Sequence, residues 1–356
     1  MAETGEQRAL REAVRGLLAR HQAQDDDQRL WRRLAGIGVA GLAVPERFGG
    51  AGAGPAEVHV VQEELGRSLA RTPMLGSAVL ATQALLRSGD EAACARLLPA
   101  MADGTAIAAL AWTTAAGRWD PAEVACRATA TPDGGWSIDG ESQYVLDGDI
   151  ASVLLVPALM AEGAIGLFEI DPGQPGATVA ACASMDQTRR LASVRLERAA
   201  GCRIGAQAPL GLVRDLGCIA LSSEQAGAAA RALEITVEYA TARVQFGRPI
   251  GSFQALAHRM ADLHVLVQAA RSVSQAAAEA ASRGAADLPL RAATAKAYCS
   301  QALQQVAAEM LQMHGAIGMT WEHDAHRYFK RAHGAAMLLG RPATHVERIA
   351  AAVIDC

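Results

Sequence analysis

The sequence predicts a mainly helical α+β chain in three parts. An amino-terminal helical domain covers residues 1–104, a small antiparallel β domain 105–205, and a carboxy-terminal four-helix bundle 206–356. Apolar residues recur at helical spacing towards both ends of the chain, and the pattern changes near Thr105 to short apolar runs separated by turn residues. Hydrophobic residues make up 51% of the chain while aromatics reach only 4%, so alanine-rich helices supply much of the apolar content.

Leu10, Val14, Leu17 and Leu18 follow the spacing i, i+4, i+7, i+8, and Leu30, Leu34 and Ile37 continue it. Val44–Gly52 is glycine-rich, but no phosphate-loop spacing fits and no apolar strand precedes it, so it reads as a connection between helices. Val58–Leu69 is amphipathic, with Pro73 as its stop and Glu63-Glu64 as a charged helix surface. Strands are expected at Ala106–Trp112, Val124–Ala130, Trp136–Ile138, Val153–Ala158, Ile165–Ile170 and Ser193–Leu196. Turn signals such as Pro132-Asp133-Gly134-Gly135 and Asp147-Gly148-Asp149 separate them. Helices return over 219–242, 253–283, 290–313 and 343–354.

Composition narrows the function. A net charge of −4 gives no basic footprint for nucleic acid or an anionic membrane. No apolar run has membrane-spanning length, and Met1–Gln7 lacks a signal-peptide core. The seven cysteines are scattered, odd in number and free of C-x-x-C, which favours free thiols in a reducing cytoplasm. His314, His323, His326 and His333 crowd one segment without metal-ligand spacing or a nearby cysteine, so they read as a solvated helix face and no metal is expected.

The most informative stretch is 239–262. Pro249 blocks continuation of one helix, Phe253 opens the next, and Arg243 and Phe246 sit on the break. A basic group beside an aromatic ring suits the pyrophosphate and adenine of a dinucleotide. The string R-x-x-F-G-x-P-I-x-x-F-Q-x-x-x-H-x-x-A-D, followed downstream by Gln312-Met313-His314-Gly315-Ala316-Ile317-Gly318, resembles the acyl-CoA dehydrogenase family. V-P-E-R-F-G-G-A-G with E-E-L-G-R-S-L-A resembles that family's amino-terminal helical domain, so the resemblance covers essentially the whole chain.

The resemblance implies FAD, an acyl-CoA thioester as substrate and electron-transfer flavoprotein as acceptor. In that chemistry a carboxylate takes the α proton while the flavin accepts the β hydride from the opposite face. The family's usual glutamate position falls on Leu339, and its less common position falls on Gly217. No acidic residue lies between His333 and Ala343, and Asp215 is the one acidic candidate near Gly217. No catalytic residue is therefore assigned.

The flavin contacts divide. Arg243, Phe246, Gln312, Gly315 and Ala316 match what one subunit lends to its neighbour's FAD. The contacts to a subunit's own flavin are eroded: Trp112-Thr113-Thr114-Ala115-Ala116-Gly117-Arg118 replaces a Thr-Glu-Pro-x-x-Gly-Ser loop, with Trp112 and Thr113 the residues left at its cofactor positions. Tyr144-Val145-Leu146 replaces Trp-Ile-Thr, and Arg341 replaces a threonine. The pattern resembles the subunit without the catalytic glutamate in α2β2 bacterial members, whose homologous partner carries it. Two alternatives remain: a homomeric enzyme using Asp215 as base, and a flavin-free protein on the same fold.

Overall fold

The computed structural model describes residues 3–21 and 26–354; Met1, Ala2 and Cys356, which entered the expectations about a leader and the thiols, lie outside the described residues. Thr4 caps the first helix, α1 (Gly5–Leu18), by accepting from the Gln7 N–H while the Gln7 side chain accepts from the Thr4 N–H. Asp26 caps α2 (Asp27–Ala35). Pro55 opens α3 (Pro55–Arg67), which ends at Ser68, before Pro73 is reached. A π-helical stretch, Met74–Ala81, leads into α4 (Thr82–Arg87), and α5 (Glu91–Ala102) follows. The connection 44–52 is a loop with one short turn at Glu46–Phe48.

The sheet contains β1 (Ala108–Leu110), β2 (Cys126–Ala130), β3 (Trp136–Leu146), β4 (Val153–Leu159), β5 (Ile165–Ile170), β6 (Ala177–Ala181) and β7 (Leu191–Ile204). Their order is β1-β4-β2-β3-β7-β5 with β6 on β7, and a further β4–β5 pairing closes a ring around Ile138, Leu154, Val156, Phe168 and Val194. The antiparallel expectation needs one correction, because β4 runs parallel to both β1 and β2. The chain makes the β2–β3 excursion before β4 returns beside its start, and that crossover forces the parallel direction. The strand at 177–181 lies outside the expected set, and its one partner among the described strands is β7.

The carboxy-terminal part comprises α6 (Leu210–Ala242), a hairpin of β8 (Val244–Gln245) and β9 (Arg248–Pro249), α7 (Gln254–Ser282), α8 (Leu288–His314), α9 (Ala325–Met337) and α10 (Pro342–Ile354). The long helix α8 packs against α6, α7, α9 and α10. Within the described residues no helix is long and apolar enough to cross a membrane.

One crossing joins the first part to the last. A Cβ at Gly66 on α3 would stand 1.9 Å from the Glu224 carbonyl oxygen on α6, and a Cβ at Gly227 would stand 2.0 Å from that of Glu63. The two backbones touch through reciprocal glycines. Glu63 and Glu64 consequently do not form a charged surface: both are buried, because α1 and α7 cover that side of α3. Arg11 lies 2.7 Å from Glu63 and 2.6 Å from Glu64, Arg15 donates to Glu64 at 2.9 Å, and Arg271 donates to Glu63 at 2.7 Å. Burial alone would raise the Glu63 pKa, but Arg271 and Arg11 outweigh it and hold the carboxylate below its ordinary range.

The histidine segment also differs from expectation. His314 and His326 are buried, not solvated. The rings of Tyr239 and His314 stack at 4.3 Å, with His323 4.3 Å from His314 and 6.4 Å from Tyr239.

Gly227→Ala should destabilise the fold by about 1–3 kcal/mol or more, because the added methyl meets backbone that cannot yield. Chemical denaturation of the variant checks this. An unchanged midpoint would mean that α3 and α6 can separate at no cost.

Candidate cofactor site

The sequence places two sets of residues at two separate sites, and the structure keeps them apart. At the first, Arg243 terminates α6, its N–H donating to the Tyr239 carbonyl at 2.8 Å while its own carbonyl accepts from Ile250 N–H at 2.8 Å. Phe246-Gly247 makes the two-residue turn of the β8–β9 hairpin, with φ of +54° and +77°. Left-handed backbone costs a non-glycine residue about 1–2 kcal/mol, and asparagine would be the ordinary choice here. The Phe246 ring is nevertheless 92% exposed, touching only the edge of Phe253 at 6.1 Å between centroids. Arg243 is exposed and has no ion-pair partner among the described residues.

The end of α8 stands beside this turn. Tyr239 OH lies 3.5 Å from the His314 carbonyl, and the Tyr239–His314 stack fixes the two helix ends together. Gly315 adopts φ +62°, ψ −141°, a region open in practice to glycine alone. Gln312, Gly315 and Ala316 are all exposed there. Val244, Ile317, Met319 and Trp321 add exposed apolar surface to the same two segments. Arg243, Phe246, Gln312, Gly315 and Ala316 are thus offered outward, and a dinucleotide's phosphate and adenine fit what they present.

The second site, at the sheet, is closed. Trp112 is fully buried, its Nε1 donating to the Asp120 carbonyl at 3.2 Å and its ring meeting Trp119 edge-on at 5.7 Å. It fills core, so its side chain is not available to a flavin. Thr113 is likewise fully buried, with its hydroxyl unpartnered. Tyr144 sits at φ +55° on a β3 irregularity, and its ring lies 3.4 Å from where a Gly117 Cβ would stand. In the loop that should cradle the isoalloxazine, Gly117 lies against the Tyr144 ring of the strand that should back it, while Ala115, Ala116 and Arg118 stay exposed. The fit to the group is good at the first site and poor at the second.

The two expected positions of the base prove to be one place. A Cβ at Gly217 would lie 2.9 Å from Leu339 Cδ1 and 2.5 Å from Leu80 Cδ2. Leucines fill the space. Leu339 is fully buried at φ +58° and is locked by a relay that sequence reasoning did not find. Arg348 donates to Asp215 at 2.6 Å and to His345 Nδ1 at 3.3 Å, and His345 Nε2 donates to the Leu339 carbonyl at 2.9 Å. Burial, followed by the charge of Lys296, pushes the His345 pKa down to about 3, so the ring is neutral and suited to this chain of bonds. Asp215, the alternative base, is buried and held by Arg348 and by Arg214 at 3.6 Å. Its carboxylate anchors the Leu339 turn.

Known proteins place the fold. Residues 4–105 match the acyl-CoA dehydrogenase N-terminal domain and residues 215–354 the acyl-CoA dehydrogenase C-terminal domain. The chain belongs to the acyl-CoA dehydrogenase family. It is 40% identical to acyl-CoA dehydrogenase IpdE2 of Mycobacterium tuberculosis, over 98% of each chain. Among solved structures it is similar to a variant of the Tcur3481-Tcur3483 steroid ACAD, at 30% identity and a TM-score of 0.88 over 98% of each chain. It is also similar to the ChsE4-ChsE5 complex from Mycobacterium tuberculosis, at 28% identity and a TM-score of 0.89, over 100% of this chain and 99% of that one.

Just past β3, Asp147 supplies a pH test. It is buried under Gly76, where a Cβ would meet its Oδ2 at 2.5 Å, and burial pushes its pKa up to about 7. The folded protein keeps this proton up to about pH 7, whereas an unfolded aspartate releases it near pH 4. Between those values the native state binds more protons, so this group's contribution to stability falls as pH rises. Asp147→Asn, which tolerates the left-handed φ of +57°, should therefore gain stability relative to the parent between pH 5 and pH 8. Parallel melting curves at both pH values would contradict the assignment.

Proposed function

We propose that this chain is the subunit of a heteromeric FAD-dependent acyl-CoA dehydrogenase that lends the distal half of the flavin site to its partner and carries no base of its own. The observation that carries the reading is the leucine packing at the base position: Leu80 and Leu339 leave no room for a Cβ at Gly217, and the Asp215–Arg348–His345 relay holds Leu339 there. The homologous partner supplies the glutamate and an intact ring-side pocket. The two structural relatives described in pairs, ChsE4-ChsE5 and Tcur3481-Tcur3483, support a heteromeric arrangement. Where they point to an acyl group, the steroid ACAD favours a bulky polycyclic thioester.

FAD, when bound, supplies the acceptor for the substrate's β hydride, and electron-transfer flavoprotein is the proposed onward acceptor. This chain's residues act at the other end of the cofactor. The Arg243 guanidinium is free to pair with pyrophosphate, and Phe246 offers an open ring face to adenine. Gln312 and the backbone at Gly315-Ala316 border them. The surrounding Val244, Ile317, Met319 and Trp321 are the apolar surface that the partner covers.

The chain expressed alone should be colourless and inactive towards any acyl-CoA with an artificial electron acceptor. With its partner, an α2β2 assembly should hold two FAD, since only two of its bipartite sites join an intact ring-side half to this chain's distal half. Arg243→Ala removes a charge-assisted contact worth roughly 1.5–3 kcal/mol, so flavin should bind about ten-fold or more weakly in the complex. Flavin content by absorbance reads both results; four flavins per tetramer, or unchanged affinity in the variant, would sink the split site.

Leu339→Glu should not create an active homomer. The carboxylate would stand beside Leu80 and Gly217, and the ring-side positions would still hold the buried Trp112 and Thr113 and the replacement Tyr144-Val145-Leu146. Turnover near that of the heteromer in this single variant would show the ring-side half to be intact.

A further inference from the structure

The junction between the amino-terminal helices and the sheet encloses a cavity of about 390 Å³. Its wall comes from α2, the chain at 71–73, the approach to β1 at 103–107, the turn after β3 and Arg190. Trp31, Pro73, Ile107 and Ile150 give it an apolar lining. The charges on the wall cancel. Arg71 stands 3.3 Å from Asp27, and Arg190 reaches Asp27 at 3.4 Å and Asp149 at 3.0 Å. With Arg32 and Asp103 included, three guanidinium groups meet three carboxylates. Asp147 is the remaining acid on the wall, and burial keeps it protonated up to about pH 7.

Two buried polar groups of this wall lack partners. Trp31 is 3% exposed, and its indole N–H has no acceptor among the described residues. Gly104 borders it at φ +77°, where a Cβ would stand 3.4 Å from the indole nitrogen and 2.6 Å from the Ala35 Cβ. Asp147 is 4% exposed, and its carboxyl makes no hydrogen bond to any described residue. Its backbone N–H and carbonyl are engaged with Arg190 and Ile150. Burying such groups unpaired is costly unless something meets them. A protonated carboxyl presents one donor beside an acceptor. An amide presents the complementary pair, a carbonyl oxygen and an N–H, and carries no charge. A carboxylate ligand would bring a charge that nothing on this wall compensates, and a plain hydrocarbon would leave both groups unpaired.

We propose that this cavity binds an uncharged amide on an apolar body, its polar end met by the Trp31 indole N–H and the Asp147 carboxyl and its body lying against Pro73, Ile107 and Ile150. Such a ligand joins α2 to the turn after β3, and a cavity of 390 Å³ is within the range of small-molecule sites.

Benzamide, benzoate and benzamidinium share one shape and differ in charge. Calorimetric titration of the purified chain, and of its complex with the partner, with each of the three tests the site. The tryptophan indole N–H resonances of the chain, with that of Trp31 identified by its loss in Trp31→Phe, report where the probe sits. At pH 6, benzamide should bind saturably and shift the Trp31 resonance, while the two charged probes should not saturate. Trp31→Phe should weaken benzamide roughly three-fold or more. The Asp147 carboxyl is faced by Arg189, Arg190, Arg331 and Asp149, with Asp27 and Arg71 also on the cavity wall. Its proton leaves as pH rises through about 7, so benzamide should bind about ten-fold more weakly at pH 8 than at pH 6. Asp147→Asn keeps a donor beside an acceptor and should abolish that pH dependence, a result that does not require Trp31→Phe to fold. Absence of benzamide saturation at its solubility limit overturns the proposal. So does preferential binding of benzoate, which would assign an anion site, or of benzamidinium, which would assign an ionised Asp147. Binding that leaves the Trp31 resonance unmoved, or a pH dependence that survives Asp147→Asn, overturns it as well.

Discussion

The structure depends on one turn of α6 around Glu224. Its backbone carbonyl abuts Gly66 of α3, while its carboxylate accepts from Arg189 at 2.6 Å and from Arg331 at 3.0 Å. Arg331 also donates to the Thr188 carbonyl at 2.8 Å and reaches the Ala70 carbonyl at 3.4 Å. One fully buried guanidinium therefore ties α9, α6, the sheet segment before β7 and the chain leaving α3. Desolvating these groups is costly, and burial works to raise the Glu224 pKa. Arg189 and Arg331 outweigh it and hold the carboxylate below its ordinary range. Such a cluster specifies one arrangement more than it adds net stability, because a partner removed leaves an uncompensated charge in the core.

That fixed arrangement gives the two sites opposite characters. α6 runs from the Gly217–Leu339 contact at one end to Arg243 at the other, so a single rigid helix carries both the filled base position and the open distal grip. At the first end, leucine side chains and the Asp215–Arg348–His345 relay remove freedom. At the second, Phe246 is held in left-handed backbone with its ring almost wholly in solvent.

Much of this was legible in the sequence because it depended on local chemistry. The helical periodicity of 10–37, the turn residues between strands and the Pro249 break each act over a few residues. The Arg243–Phe246 and Gln312–Gly315 motifs, far apart in the chain, were readable only through resemblance. What the sequence hid was partnership at long range. Glu63 and Glu64 look like a solvated face until α1 and α7 supply arginines on the covered side. His326 on α9 and His314 at the end of α8 look polar until the packing buries them, and Trp112 looks available until Trp119 closes over it. Parallel pairing of β4 follows from topology, which alternation of side chains does not encode.

The relay at Leu339 bears on the place where the resemblance puts the base. The neighbourhood is packed: Leu80 and Leu339 both close on Gly217, and a neutral histidine bonded to the Leu339 carbonyl holds the turn at positive φ. Asp215 could act as a base only by leaving two arginines, and its departure would release Arg348, then His345, then the turn itself. The carboxylate nearest the expected chemistry is thus the one the packing can least spare, which is the physical argument against a homomeric enzyme using it.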